Sequence, residues 1–149
     1  MRIVERTQVE RPANKVWSYV IKPESFQKWN KNIVSMEARG EFRLGQPFMT
    51  HYKLVKKETQ CLSVVTSMIE GKVLELRHSN CVGTDNNPGM EAVERITLKE
   101  RDGKTIVIKE VSIKNHGIPW MLVPIIWFVT RFGRPTEPDR LKLMCESDA

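Results

Sequence analysis

The hydrophobic period changes several times along the chain, and each change marks an element. Arg2 to Val9 roughly alternates apolar and polar residues, which predicts a first strand. Beyond Pro12, Val16, Trp17 and Val20 fall at i, i+1 and i+4, one face of a short helix that opens near the proline. Pro23 interrupts it, and SFQKWN predicts a second short helix with Phe26 and Trp29 three apart. After Asn32 the period is two. Val34, Met36 and Ala38 alternate with Ser35, Glu37 and Arg39, and Gly40 and Gly45 punctuate the chain. Phe48, Thr50, Tyr52 and Leu54 then alternate with Met49, His51, Lys53 and Val55. Strands follow over QCLSVVTSMI and KVLELRHS, separated by Glu70-Gly71. The turn-forming run VGTDNNPG leads to MEAVERITLKER, which meets TIVIKEVSIK across Asp102-Gly103. An Asp-Gly pair between two alternating runs is the strongest short-range hairpin signal.

The remainder reads as helical. From Ile118 to Thr130 the chain (IPWMLVPIIWFVT) carries no charge, although 28% of all residues are charged. Thr136 and Asp139 resemble a capping box ahead of Leu141–Glu146, with Asp in place of the usual Glu or Gln. The order is strand, two short helices, six antiparallel strands and a C-terminal helix. A curved antiparallel sheet of seven strands cannot bury its concave face alone, so a long apolar helix is expected across it. The class is α+β, and no repeat or linker divides residues 1–149, which are expected to form a single ligand-binding domain.

Composition narrows the function. The uncharged stretch is too short for a spanning helix, which needs roughly 20 apolar residues. The N-terminal residues show no apolar core or small-residue cleavage site, so no secretion signal is expected. Cys61, Cys81 and Cys145 are widely spaced and odd in number, which predicts a reducing cytoplasm without a disulfide framework. No pair of histidines stands at ligand spacing with a cysteine or carboxylate, so no metal or other cofactor is expected. The net charge of +6 raises the question of nucleic acid. Lys and Arg are scattered rather than interleaved with aromatics, and nucleic-acid binding is not expected.

The order of elements resembles the helix-grip fold of the START-like (SRPBCC) superfamily. The residues that carry the likeness are Pro12-Ala-Asn-Lys-Val-Trp17 after the first strand, Trp29 ahead of Ile33-Val34, Gly45 before the third strand, and Leu141–Glu146 at the end. They look most like the polyketide cyclase/dehydrase and lipid-transport group. The resemblance implies a cavity between the sheet and a long C-terminal helix that holds a small hydrophobic molecule. It implies no single reaction, because many functions share this fold.

Alternation assigns the faces of the sheet. A two-residue turn at Asp102-Gly103 pairs Leu98 with Val107, Ile96 with Lys109 and Glu94 with Val111. The face holding Ala92, Ile96, Leu98, Val107, Val111 and Ile113 is the more apolar and should be concave, yet it carries Glu94 and Lys109. Charges on a core face need partners. Either the two pair with each other, or they line a polar end of the cavity and orient a ligand or a proton transfer. A turn at Glu70-Gly71 places Cys61, Ser63, Val65, Ser67, Ile69, Leu74, Leu76 and His78 on one face, near Phe48, Thr50 and Tyr52 of the neighbouring strand. An inward His is a core residue or a catalyst, and an inward Tyr hydroxyl needs a partner.

Projected as a helix, the uncharged stretch puts Met121, Leu122, Ile125, Ile126, Phe128 and Val129 on one arc, suited to closing a cavity. Trp120, Trp127, Arg131 and Arg134 lie opposite. They would pack under the short helices, form a homodimer interface, or make a peripheral contact with lipid headgroups. Pro124 breaks or restarts the helix. The expected ligand-binding residues are therefore Met36, Phe48, Tyr52, Leu76, His78, Glu94, Lys109, Met121, Ile125 and Phe128. The leading expectation is a carrier of a lipid or polyketide-like molecule. The alternatives are a cyclase or dehydratase using Glu94, Lys109, His78 or Tyr52 as acid and base, and an interaction module using the Trp120/Trp127 face.

Overall fold

A computed structural model describes residues 2–31, 33–54, 57–83, 91–114, 121, 122, 124 and 139–147. The elements are β1 (Arg2–Val9), α1 (Ala13–Val20), α2 (Pro23–Trp29), β2 (Ile33–Met36), β3 (Pro47–Leu54), β4 (Lys57–Ile69), β5 (Val73–Gly83), β6 (Glu91–Arg101), β7 (Lys104–Lys114) and α3 (Arg140–Ser147). The strands form one antiparallel sheet in the order β1-β7-β6-β5-β4-β3-β2. Each strand after β2 pairs with its predecessor, and β1 closes onto β7.

The Asp102-Gly103 turn takes positive φ at both residues, 55° and 74°, the geometry that suits right-twisted hairpins. It fixes the expected register: Leu98 faces Val107, Ile96 faces Lys109 and Glu94 faces Val111. Val16, Trp17 and Val20 of α1 and Phe26 and Trp29 of α2 are buried against the sheet. Pro23 stands at the first position of α2, where its missing N–H is harmless. Phe26, Trp29, Phe42 and Phe48 pack ring to ring, with centroids 4.5–5.6 Å apart. The convex face is solvated and carries the ion pairs Arg77–Glu91, Arg95–Glu75 and Arg2–Glu110.

Four expectations need correction. In β2 the register shifts between Ile33 and Ser35, so Ile33 shares the buried face with Met36 while Val34 is exposed. In β4 it shifts between Val65 and Ser67, so Met68 faces Leu74 and Ile69 turns outward. A bulge inserts one residue and reverses the alternation beyond it.

The third correction concerns the cysteines. Cys61 and Cys81 are joined by a disulfide. Strict alternation from His78 would point Cys81 outward. The register shift between Gln60 and Leu62, with Asn80 at φ 50°, turns it inward to meet Cys61. The cysteine-based argument for a reducing compartment therefore falls away. Cys145 is a buried free thiol, and burial pushes it up to about 11.

The fourth is the helix start. Asp139 is itself the cap of α3: its Oδ1 accepts from the backbone N–H groups of Leu141 at 3.0 Å and Lys142 at 3.2 Å. Its Oδ2 accepts from Lys109 Nζ at 2.6 Å and Thr7 Oγ1 at 2.8 Å. Leu141 and Cys145, four apart, are fully buried beneath the helix. The described C-terminal helix is thus eight residues long. Of the expected long helix, Met121 and Leu122 form a turn and Pro124 is helical. The rest, including Ile125, Phe128, Trp120, Trp127, Arg131 and Arg134, lies outside the described residues, as does Thr136.

Two predictions follow from these contacts. Replacing Cys61 and Cys81 together by Ala should lower unfolding free energy by about 3 kcal/mol, through release of a loop of sequence separation 20 in the unfolded chain. A urea titration with an unchanged midpoint would contradict this. For Asp139, burial raises the carboxyl, but the Lys109 charge and the bonds from Lys109, Thr7 and the Lys142 backbone outweigh it and hold it low. A folded value below the unfolded one stabilises above about pH 4 and is lost as pH falls through the folded value. Asp139→Asn should therefore lower the melting temperature above about pH 4 and flatten the acid side of its pH profile.

Candidate functional site

The period of two carries a set of polar side chains into the concave core. Thr50 and Tyr52 enter from β3, Ser63 from β4, His78 from β5 and Glu94 from β6, and each is at most 1% exposed. Asn30, closing α2, reaches them from the helical layer. Its backbone N–H bonds to Phe26 O at 3.0 Å, and its carbonyl accepts from Ile33 N at 3.3 Å, so its side chain is held at the helix end.

These groups form a chain. Asn30 Nδ2 donates to Glu94 Oε2 at 2.6 Å. Glu94 Oε1 lies 3.5 Å from His78 Nε2. His78 Nδ1 is 2.6 Å from Ser63 Oγ, which donates to Thr50 Oγ1 at 2.7 Å. The Tyr52 ring lies against the imidazole, with centroids 5.2 Å apart and planes tilted by 36°. Three buried atoms at this spot have no hydrogen-bond partner among the described residues: Tyr52 Oη, His78 Nε2 and Glu94 Oε1. Burial, and then the charge of Glu94, hold the Tyr52 phenol well above its ordinary range, so it remains a neutral donor.

The surroundings are apolar. Leu74, Leu76, Val65, Ala92 and Ile96 occupy the same face and are 0–3% exposed. Met36 is buried and also lines an open depression of about 530 Å³ with Glu37, Ala38 and Arg39. Among the described residues no group of three His, Cys, Asp or Glu is arranged to hold a metal ion, and no helix is long and apolar enough to cross a membrane.

The structure thus brings together Tyr52, His78 and Glu94, with Leu76 beside them. Phe48 lies in the aromatic cluster with Phe42. Lys109 does not pair with Glu94. Its ammonium binds Asp139 and lies 5.3 Å from the centre of the Trp29 ring, which fastens α3 to the sheet. Met121, expected on the inner arc, is 63% exposed in its turn, where a helical projection does not apply. Sequence reasoning placed Ser63 and Thr50 on the inner face without giving them a role. It missed Asn30, whose position after Trp29 at the end of α2 was the available signal.

A curved antiparallel sheet with helices on its concave side and a buried polar cluster defines a helix-grip domain of the START-like superfamily. Within it, the chain belongs to the family described as Activator of Hsp90 ATPase homolog 1-like protein, which matches residues 10–119. Solved structures share the fold at low identity. A protein from Mesorhizobium loti superposes with a TM-score of 0.69 at 16% identity, covering 100% of this chain and 99% of its own. A conserved protein from Geobacillus kaustophilus gives 0.67 at 16%, covering 99% and 96%. DynU16, from the dynemicin biosynthetic locus, gives 0.58 at 18%, covering 84% of this chain and 41% of its own. No curated protein matches the chain.

The Tyr52 environment generates a prediction. A raised folded value means stability that is intact below the ordinary phenol value, about 10, and lost as pH rises above it. Tyr52→Phe should remove that alkaline loss. At neutral pH it should melt at or above wild type, because it deletes a buried hydroxyl without a partner. A neutral-pH loss above about 1 kcal/mol would mean that the hydroxyl is satisfied.

Proposed function

We propose that this protein binds a small hydrophobic molecule against the concave face of the sheet, with the polar part of the ligand at Tyr52, His78 and Glu94. The observation that carries this reading is the group of three unpartnered, buried polar atoms among apolar walls. Ligand pockets are mostly apolar with a few convergent polar groups that fix orientation. An unsatisfied buried polar group costs about 1–3 kcal/mol, so three in one place favour an external partner that satisfies them. The family points the same way, since domains of this fold generally hold small hydrophobic ligands.

A lipid and a polyketide-like molecule both fit this chemistry. DynU16 belongs to a biosynthetic locus, which supports the second. An acid–base enzyme is the other reading. It rests on the contact between Glu94 and His78, two groups able to exchange protons, 3.5 Å apart and buried.

Native mass spectrometry of protein purified from its source should reveal a bound organic molecule, and solvent extraction should recover it. Incubating that molecule with fresh protein separates the two readings. A carrier returns it unchanged, and Glu94→Gln alters only affinity. An enzyme converts it, and Glu94→Gln slows conversion by about 10²–10⁴-fold. Preparations that neither carry nor take up any apolar molecule would count against both.

A further inference from the structure

We infer that the polar end of this site recognises a hydroxyl group: the ligand is an alcohol, enol or phenol on an apolar body, not an ether, ester or hydrocarbon. The inference rests on the binding reading above and adds the chemical class of the ligand.

The contacts of Ser63, His78 and Asn30 leave three polar atoms without a partner among the described residues. Ser63 has one hydroxyl hydrogen and donates it to Thr50 Oγ1. Ser63 Oγ also contacts His78 Nδ1 at 2.6 Å, where the imidazole donates or accepts according to its tautomer. Nε2 is left facing Glu94 Oε1 at 3.5 Å. The 3.5 Å separation is too long for a good hydrogen bond, and the pair does not satisfy itself. Asn30 occupies the other carboxylate oxygen and leaves Oε1 as the free acceptor.

The unpartnered atoms are therefore an acceptor at Glu94 Oε1, a donor at Tyr52 Oη, and Nε2, which accepts or donates according to the tautomer of His78. A ketone or ether oxygen accepts from Tyr52 and leaves Glu94 unmatched. A ligand carboxylate meets the Glu94 charge. A hydroxyl carries both roles in one group, donating to Glu94 and accepting from Tyr52. Sites built to bond a hydroxyl reject analogues that lack it, because their own buried groups are then left unpaired.

Two matched probe pairs test this by calorimetry: 2-naphthol against 2-methoxynaphthalene, and 1-decanol against decyl methyl ether. Each hydroxyl compound should bind wild type tighter than its ether by about tenfold or more. Tyr52→Phe and Glu94→Gln should shrink that ratio. Equal binding within both pairs overturns the inference and leaves the binding reading standing. A preference that survives unchanged in both variants overturns the assignment to these residues. If no probe binds, the binding reading fails and takes the inference with it. A measurement on wild type needs no variant to fold: 2-naphthol should move the imidazole Nε2 ¹⁵N resonance of His78 where the ether does not. An Nε2 resonance that both compounds leave unmoved would overturn the inference.

Discussion

A carboxylate with 1% exposure has to be neutralised or hydrogen-bonded, and the demands of Glu94 account for much of what surrounds it. Asn30 satisfies one oxygen from the end of α2, which ties the helical layer to the middle of the sheet. His78 approaches the other and is in turn oriented by Ser63 and Thr50. Four strands and one helix thus contribute to a single polar chain inside an otherwise apolar core. Replacing a buried polar chain of this kind by packed hydrophobic residues is often neutral or stabilising. Stability alone gives little reason for it here, and that favours a role in recognition.

Lys109 illustrates how a second buried charge is managed differently. It lies across the same hairpin on the same face, opposite Ile96, yet it leans away to Asp139. Asp139 caps α3, accepts from Thr7 of β1 and binds Lys109 of β7. One carboxylate therefore ends a helix and fastens it to two strands. Lys109 is structural in this arrangement, and of the expected polar residues Tyr52, His78 and Glu94 are the ones that meet in the core.

The parts of the fold legible in the sequence are those governed by local geometry. Asp102-Gly103 gave the β6–β7 register to the residue, because a two-residue turn leaves no freedom in pairing. Inward positions of Tyr52, His78 and Glu94 followed from alternation. The failures occurred where one inserted residue reverses alternation: at Val34 and at Ile69. The partner of Glu94 was also illegible. Cross-strand proximity suggested Lys109, but Asn30 is distant in the chain and belongs to a different layer, and no periodic pattern encodes that contact. The cap of α3 was displaced by one turn because Thr136 and Asp139 both have cap-forming side chains.

The disulfide between Cys61 and Cys81 has a consequence for the behaviour of the site over time. It joins β4 and β5 two residues from Ser63 and three from His78, and so closes the hairpin into a covalent ring. A hairpin tied only by hydrogen bonds can slide or peel from its open end. This one is clamped at that end as well as by its turn. Local opening therefore cannot start at Cys61 and run inward through Ser63 and His78. The polar chain therefore keeps its spacing, the kind of pre-organisation that lowers the ordering cost of binding.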